Sequence, residues 1–216
     1  MKKIYLSVAL LLAAAVSFSQ QNKNITWGIH AGMNVATVSG DYSQNSNPAV
    51  IPNYKSKIGF NGGIDVQVPV LPHLTIQPEL SFSQMGAKGG ANNPVPGAYI
   101  EQNQTLTENY LSLPILIKYH APKLKGFAVY IGPQYSYLLN AKGSDPANSQ
   151  SNVSESYTSE FHRSEISGIV GLEYYCRCGF GISARYQLGF SNFYKGIDDD
   201  GSVKNHGFTF TVGYRF

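Results

Sequence analysis

The sequence contains little charge, only two cysteines and, after its first 19 residues, no long apolar run. Charged residues make up 13% of the 216 residues, and the formal net charge is +3. A balance this close to neutral gives no electrostatic reason to expect nucleic-acid binding. Because a spanning helix needs about 18 or more consecutive apolar residues, we expect no transmembrane helix in the rest of the chain.

The first 19 residues carry an export signal. Lys2 and Lys3 precede an apolar run from Ile4 to Val16, and small residues follow at Ser17 and Ser19. A positive start, a short apolar run and a small-x-small site are typical of a cleavable secretory signal peptide. The alternative, a retained membrane anchor, is disfavoured because the run is too short to cross a bilayer. We therefore expect residues 1–19 to be removed and residues 20–216 to form one domain.

The composition favours strands. The chain has 22 glycines, 15 tyrosines and 11 phenylalanines, and aromatic residues are enriched in β-structure. Apolar and polar residues alternate in eight segments, as in the stretch from Ile58 to Val68. Such a period of two indicates strands with one face in an apolar medium. The segments cover approximately residues 27–35, 58–68, 74–82, 110–119, 127–140, 165–174, 180–190 and 208–216.

Three features separate a membrane barrel from a soluble β-sandwich. The segments are long enough to cross a bilayer, for which about ten residues suffice. Short links alternate with long polar ones, and aromatic residues cluster near the segment ends, as in outer-membrane barrels. We therefore predict an all-β protein, a closed antiparallel up-and-down transmembrane β-barrel of about eight strands. The long links, which we expect to be outer loops, are residues 40–56, 89–105, 142–160 and 195–204.

Prolines interrupt three of the predicted strands. Pro78, Pro114 and Pro133 each lack the backbone N–H that a sheet ladder uses. We expect a bulge or a local break at each.

The polar face carries charged residues that the barrel would enclose. Because enclosed ions cost several kcal/mol each unless they are paired, we expect a structural salt-bridged network. Arg185 and Arg215 should face Glu165 or Glu173. A narrow ion path is the functional alternative, although an eight-stranded barrel is just wide enough to be filled by side chains. The inward residues are His30, Asp65, Glu79, Lys118, Glu165, Glu173, Arg185 and Arg215.

Several short motifs together resemble the PorT-like outer-membrane β-barrel family. They are Gly28-Ile29-His30-Ala31-Gly32-Met33-Asn34, Tyr110-Leu111-Ser112-Leu113-Pro114-Ile115-Leu116, Gly132-Pro133-Gln134-Tyr135, Ala184-Arg185-Tyr186 and Val212-Gly213-Tyr214-Arg215-Phe216. The resemblance implies an eight-stranded barrel in the bacterial outer membrane, in contact with outer-membrane lipid. It also implies insertion by the outer-membrane barrel assembly machinery, which would read Tyr214 and Phe216 in the last strand. One group of the family is associated with protein secretion, so a secretion-system or extracellular partner is expected at the long loops.

The remaining candidates give no catalytic, cofactor or metal site. The histidines, including His162 and His206, show no triad spacing, so we expect no catalysis, with a lipid-modifying barrel enzyme as a minor alternative. Asp198–Asp200 does not match a calcium loop and is more typical of an acidic turn. Cys176 and Cys178 would be only half of a metal site, and their redox state is left open by the sequence.

Overall fold

A computed structural model describes residues 25–41, 55–89, 105–144, 155–156, 158, 161–192 and 202–216. Within these ranges the chain forms ten strands. They are β1 (Thr26–Asp41), β2 (Lys55–Leu71), β3 (Leu74–Met85), β4 (Ala87–Lys88), β5 (Thr105–His120), β6 (Phe127–Ser144), β7 (Glu155–Ser156), β8 (Ser164–Tyr175), β9 (Phe180–Gly189) and β10 (Ser202–Arg215).

The eight long strands close into a barrel. Each one pairs antiparallel with the next along the chain, and β1 pairs with β10 from Gly28 opposite Arg215 to Asp41 opposite Ser202. The two-residue strands β4 and β7 add to the ladders of their neighbours. Closure satisfies the backbone donors and acceptors that an open sheet edge would leave without partners in lipid. The predicted closed, antiparallel, eight-stranded barrel is confirmed.

The three short connections lie at one end of the barrel. Pro72 and His73 join β2 to β3, residues 121–126 join β5 to β6, and residues 176–179 join β8 to β9. The four long connections leave from the opposite end, and most of their residues lie outside the described ranges. Outer-membrane barrels have short periplasmic turns and long outer loops, and the end of this barrel that carries the long connections is accordingly called the outer end.

At the prolines the structure shows local breaks, which were one of the two expected outcomes, and no bulges. β3 pairs with β5 in one register on both sides of Pro78, and β5 pairs with β6 in one register on both sides of Pro114, although two residue pairs next to each proline leave the ladder. β6 pairs with β8 through Pro133 without interruption. A missing donor thus opens a local gap but inserts no residue. The register shifts lie elsewhere, between Pro69 and Leu71 and between Asn109 and Tyr110.

The two faces of the sheet are inverted relative to a soluble protein. Large apolar side chains at alternate positions point outward and are exposed, for example Val170 at 53% and Val212 at 64%. Charged side chains fill the inside, and Lys118 is completely buried. None of the described segments is a helix that is long and apolar enough to cross a membrane. The exposed apolar belt lies on the strands.

Candidate functional site in the barrel interior

An ion pair crosses the interior between strands that are not neighbours. Arg185 on β9 donates from Nη1 to Oε2 of Glu79 on β3, at 2.8 Å. Gln77 Nε2 donates to Oε1 of the same carboxylate at 2.6 Å. Arg185 and Glu79 are both buried. The carboxylate therefore links opposite walls of the barrel through a charge-assisted hydrogen bond.

A second carboxylate, Glu173 on β8, binds two cations. Arg215 Nη2 donates to its Oε1 at 2.6 Å, and Lys118 Nζ donates to its Oε2. The Arg215 guanidinium also lies 3.4 Å from the ring centroid of Tyr175, which favours the cation through the negative face of the ring. Lys118 Nζ lies 5.3 Å from the ring centroid of Tyr130.

His30 and Asp65 lie close together in the interior, on the adjacent strands β1 and β2. His30 Nδ1 lies 3.7 Å from Asp65 Oδ2, and both side chains are buried. This contact is longer than a hydrogen bond. It extends the polar layer to the strands next to the closure of the barrel.

Towards the outer end, two buried carboxylates share one amide. Asn205 Nδ2 lies 3.0 Å from Glu108 Oε2 and 3.1 Å from both Glu165 Oε2 and the hydroxyl of Tyr110. Glu108 and Glu165 are buried. The amide and the phenol thus supply polar contacts to a pair of acidic groups within the bore.

An apolar cluster lies towards the outer end of the described barrel. Its members come from β1, β3, β4, β5, β6 and the segment before β8. They are Ala36, Val38, Met85, Ala87, Leu106, Tyr110, Leu138, Ala141 and Phe161. The bore is therefore filled by ion pairs towards the short turns, and by the shared carboxylates together with apolar side chains towards the outer end.

The sequence placed the predicted polar residues on the correct face but not with all of their partners. Of the eight inward residues, seven are buried and Arg215 is partly buried. Arg215 does face Glu173, as expected. Arg185 faces Glu79 and not Glu165 or Glu173, and Glu165 lies with Asn205 instead.

The interior residues that sequence reasoning missed include Glu108, Tyr130 and Asn205. Glu108 shares the inward parity of Ser112 in β5, which was the signal that could have found it. Tyr130 has the parity of the inward Ala128 and Gln134 but was not singled out. Asn205 lies in a strand that begins earlier than the predicted segment.

Of the other candidate residues, some lie in the described part of the chain and some lie outside it. His162 is exposed, and His206 Nδ1 lies 3.2 Å from Ser39 Oγ. Among the described residues no three His, Cys, Asp or Glu side chains gather as a metal site would require. Cys176 and Cys178, whose redox state the sequence left open, are joined by a disulfide in the structure. Asp198–Asp200 lies outside the described residues.

Residues 18–195 match the family described as "Outer membrane protein beta-barrel domain". The chain belongs to this family. It is therefore a protein of the bacterial outer membrane, and its exposed apolar belt faces lipid. No curated protein matches the sequence.

Solved structures of small outer-membrane barrels are similar to this chain. Neisserial surface protein A covers 90% of this chain and 100% of its own length, with a TM-score of 0.52 and 10% identity. OprG of Pseudomonas aeruginosa covers 88% of this chain and 95% of its own, with a TM-score of 0.46 and 10% identity. Ail of Yersinia pestis covers 88% and 98%, with a TM-score of 0.41 and 19% identity. Of these three, only the first TM-score exceeds 0.5, and at such identity it supports the fold alone.

Proposed function

We propose that this outer-membrane barrel is a non-conducting, non-catalytic anchor that holds its outer loops at the cell surface. The predicted loops, residues 40–56, 89–105, 142–160 and 195–204, overlap the ends of the long strands, and the parts between these strands, residues 42–54, 89–104, 145–160 and 195–201, would bind an extracellular partner or a component of an assembly or secretion system. The observation that carries the proposal is the filled bore. Loops on a rigid scaffold are the usual place for binding residues.

The filled bore argues against a narrow pore. A conducting path needs a continuous column of water, whereas Glu79, Arg185 and Lys118 are buried and engaged with one another or with Glu173. Water that entered would have to break charge-assisted contacts, and breaking a buried pair is costly. The apolar cluster at the outer end adds a second obstruction.

Planar-bilayer recording tests the absence of conductance. The wild-type protein is expected to give no discrete channel events. Heat-modifiable gel mobility of the same preparation after reconstitution into liposomes serves as the control for folding and insertion. Steady wild-type conductance that scales with the amount of protein would instead identify a transport pore.

Loop replacement tests surface binding. Each of the four loops is exchanged for a Gly-Ser segment of equal length, and proteins that co-purify from cross-linked native cells are compared with those of the wild type. The proposal expects at least one loop exchange to remove a specific partner while the barrel stays folded. Identical partners for the wild type and all four exchanges would contradict it.

The resemblance to PorT-like barrels supports an accessory role in secretion in particular. A deletion strain of the native host is expected to release fewer exported proteins into the medium. Complementation with the wild-type chain should restore them. An unchanged set of secreted proteins would eliminate the secretion role while leaving the anchoring role intact.

Export and insertion belong to the same proposal. Cleavage of residues 1–19 predicts that the N-terminus of the mature protein is Gln20, which N-terminal sequencing of the outer-membrane fraction checks.

Tyr214 and Phe216 are proposed as the insertion signal. The Phe216 ring is 71% exposed, and its N–H donates to Trp27 O at 2.9 Å across the closure of the barrel. Phe216→Ser should lower the folded fraction recovered in the outer membrane.

A further inference from the structure

The short turn between β8 and β9 contains a disulfide within a run of three residues. Cys176 and Cys178 are bonded, with their Cα atoms 5.2 Å apart, and Arg177 lies between them. We propose that this disulfide is a redox-active site that exchanges thiols with a dithiol protein of the periplasm. The proposal is independent of what the outer loops bind.

The bond contributes little to the stability of the barrel. A disulfide stabilises mainly by restricting the unfolded chain, and this effect grows with the length of the loop that it closes. The sequence separation here is two residues, which is close to the minimum. A disulfide with a structural role would be expected to join segments that are far apart in the sequence. A structural role therefore does not account for this pair.

Backbone hydrogen bonds hold the turn without help from the sulfur atoms. Cys176 N donates to Phe180 O at 2.8 Å, and Gly179 N donates to Cys176 O at 3.2 Å. Arg215 N donates to Gly179 O at 2.9 Å, which ties the turn to the last strand. Gly179 has a φ of 88°, a conformation that glycine adopts at no steric cost. The turn is therefore expected to keep its shape when the disulfide is reduced.

The site is accessible and in the right compartment. Cys178 is exposed and Cys176 is half-buried. Because the short turns face the periplasm, dithiol and disulfide proteins of that compartment reach the pair directly. Arg177, the residue between the two cysteines, is also exposed.

The exchange balances as two thiolate displacements. A thiolate of the partner attacks Cys178 Sγ, the bond between the two cysteines breaks, and Cys176 leaves as a thiolate that takes up a proton. The second thiol of the partner then loses its proton and attacks the mixed disulfide, which releases Cys178 as a thiol. The partner gives up two electrons and becomes a disulfide, while the cysteine pair of this chain is reduced. The reverse sequence oxidises the pair again.

Equilibration with glutathione is the first test. The full-length barrel in detergent is incubated in buffers with a range of reduced-to-oxidised glutathione ratios, and free thiols are counted by alkylation and mass spectrometry. Exposed, labile disulfides are poised near the glutathione couple, whereas structural ones resist it. We expect both redox forms to be populated within millimolar glutathione, with unchanged heat-modifiable gel mobility. A pair that stays fully oxidised in a large excess of reduced glutathione would overturn the proposal.

Trapping of the partner is the second test. In Cys176→Ser the exposed Cys178 can attack a partner disulfide but cannot be resolved, so a mixed disulfide should accumulate in native cells. Cys178→Ser is the matched control, and its half-buried thiol should trap several-fold less. The double variant Cys176→Ser/Cys178→Ser should insert and fold like the wild type. Equal trapping by both single variants, or a double variant that fails to fold, would show that the pair is not a directed exchange site.

Discussion

Single residues decide whether the interior is stable, because a charge enclosed in the bore is separated from water. Desolvation costs several kcal/mol per ion, and an opposite charge with good hydrogen bonds is needed to offset it. Arg185 obtains this compensation from Glu79 on a strand across the barrel. Lys118, which is fully buried, obtains it from Glu173. The interior should therefore tolerate removal of a pair better than removal of one partner.

A double-mutant cycle on the cross-barrel pair tests this. Glu79→Gln leaves the Arg185 cation without its counter-charge and should cost about 3–5 kcal/mol of unfolding free energy. The double variant Glu79→Gln/Arg185→Met should recover most of that loss, since no lone charge is left. Urea unfolding in lipid vesicles, followed by the fluorescence of Trp27, measures each value.

The control for this cycle is a cation outside the bore. Lys123 is exposed in the turn between β5 and β6, so Lys123→Met should change the unfolding free energy by less than about 0.5 kcal/mol. Effects of the two interior substitutions that simply add would contradict the pairing.

At the scale of the strands, the closure of the barrel depends on close approach of two backbones. β1 and β10 meet at Gly32, where an added Cβ would lie 1.9 Å from Phe210 O. Gly62 on β2 is different, because an added Cβ there would first meet the Phe60 ring, at 3.1 Å. A backbone carbonyl in a ladder cannot move aside, whereas an exposed side chain can. The closure therefore requires glycine at position 32 but not at position 62.

Alanine at these two glycines gives a matched comparison. Gly32→Ala should push β1 from β10 and cost about 1–3 kcal/mol, the usual effect of overpacking. Gly62→Ala should cost clearly less, because the Phe60 ring can rotate. The folded fraction after refolding into vesicles, read from heat-modifiable gel mobility, checks both. Equal losses at the two positions would argue against the close approach.

At the scale of the whole molecule, the exposed apolar belt fixes the position in the membrane. Val170 and Ile166 point outward from the same strand, β8, and are 53% and 55% exposed. The ladder places Ile166 opposite Tyr135, near the outer aromatic residues, and Val170 opposite Ile131, closer to mid-depth. The two side chains are almost equally exposed but lie at different depths. The cost of a charge at each position therefore reports its depth in the bilayer.

Arginine substitution at these two positions tests their depth in the membrane. Val170→Arg should cost about 2–4 kcal/mol and Ile166→Arg about 0–1 kcal/mol, because the cost of a cation on the lipid face falls from the midplane to the interface. Unfolding in vesicles measures the difference. Similar costs at both positions would contradict the proposed depth, and a protein that folds equally well without lipid or detergent would contradict the membrane location.

The sequence by itself determined the barrel and the direction in which each side chain points. Alternation within one strand is a local property, so the pattern alone assigned Asp65, Lys118 and Arg185 to the interior. The short and long links and the aromatic residues at the strand ends were also legible along the chain. The alternation that assigned Lys118 to the interior also assigns Glu108, on the same strand, although Glu108 was not singled out.

Only the tertiary structure decided which interior residues meet. Contacts across a closed barrel depend on the tilt of the strands and on the stagger accumulated around the ring, and a single shift, such as that between Asn109 and Tyr110, changes every later partner. This is why Arg185 pairs with Glu79 and Glu165 with Asn205, contrary to expectation. The sequence predicted a bulge or a local break at Pro78 and Pro114, and only the structure showed that it is a break, because flanking hydrogen bonds hold the register while a donor is missing. The periodicity of a strand determines which face of the sheet a side chain lies on, whereas closure of the barrel determines which interior side chain it contacts.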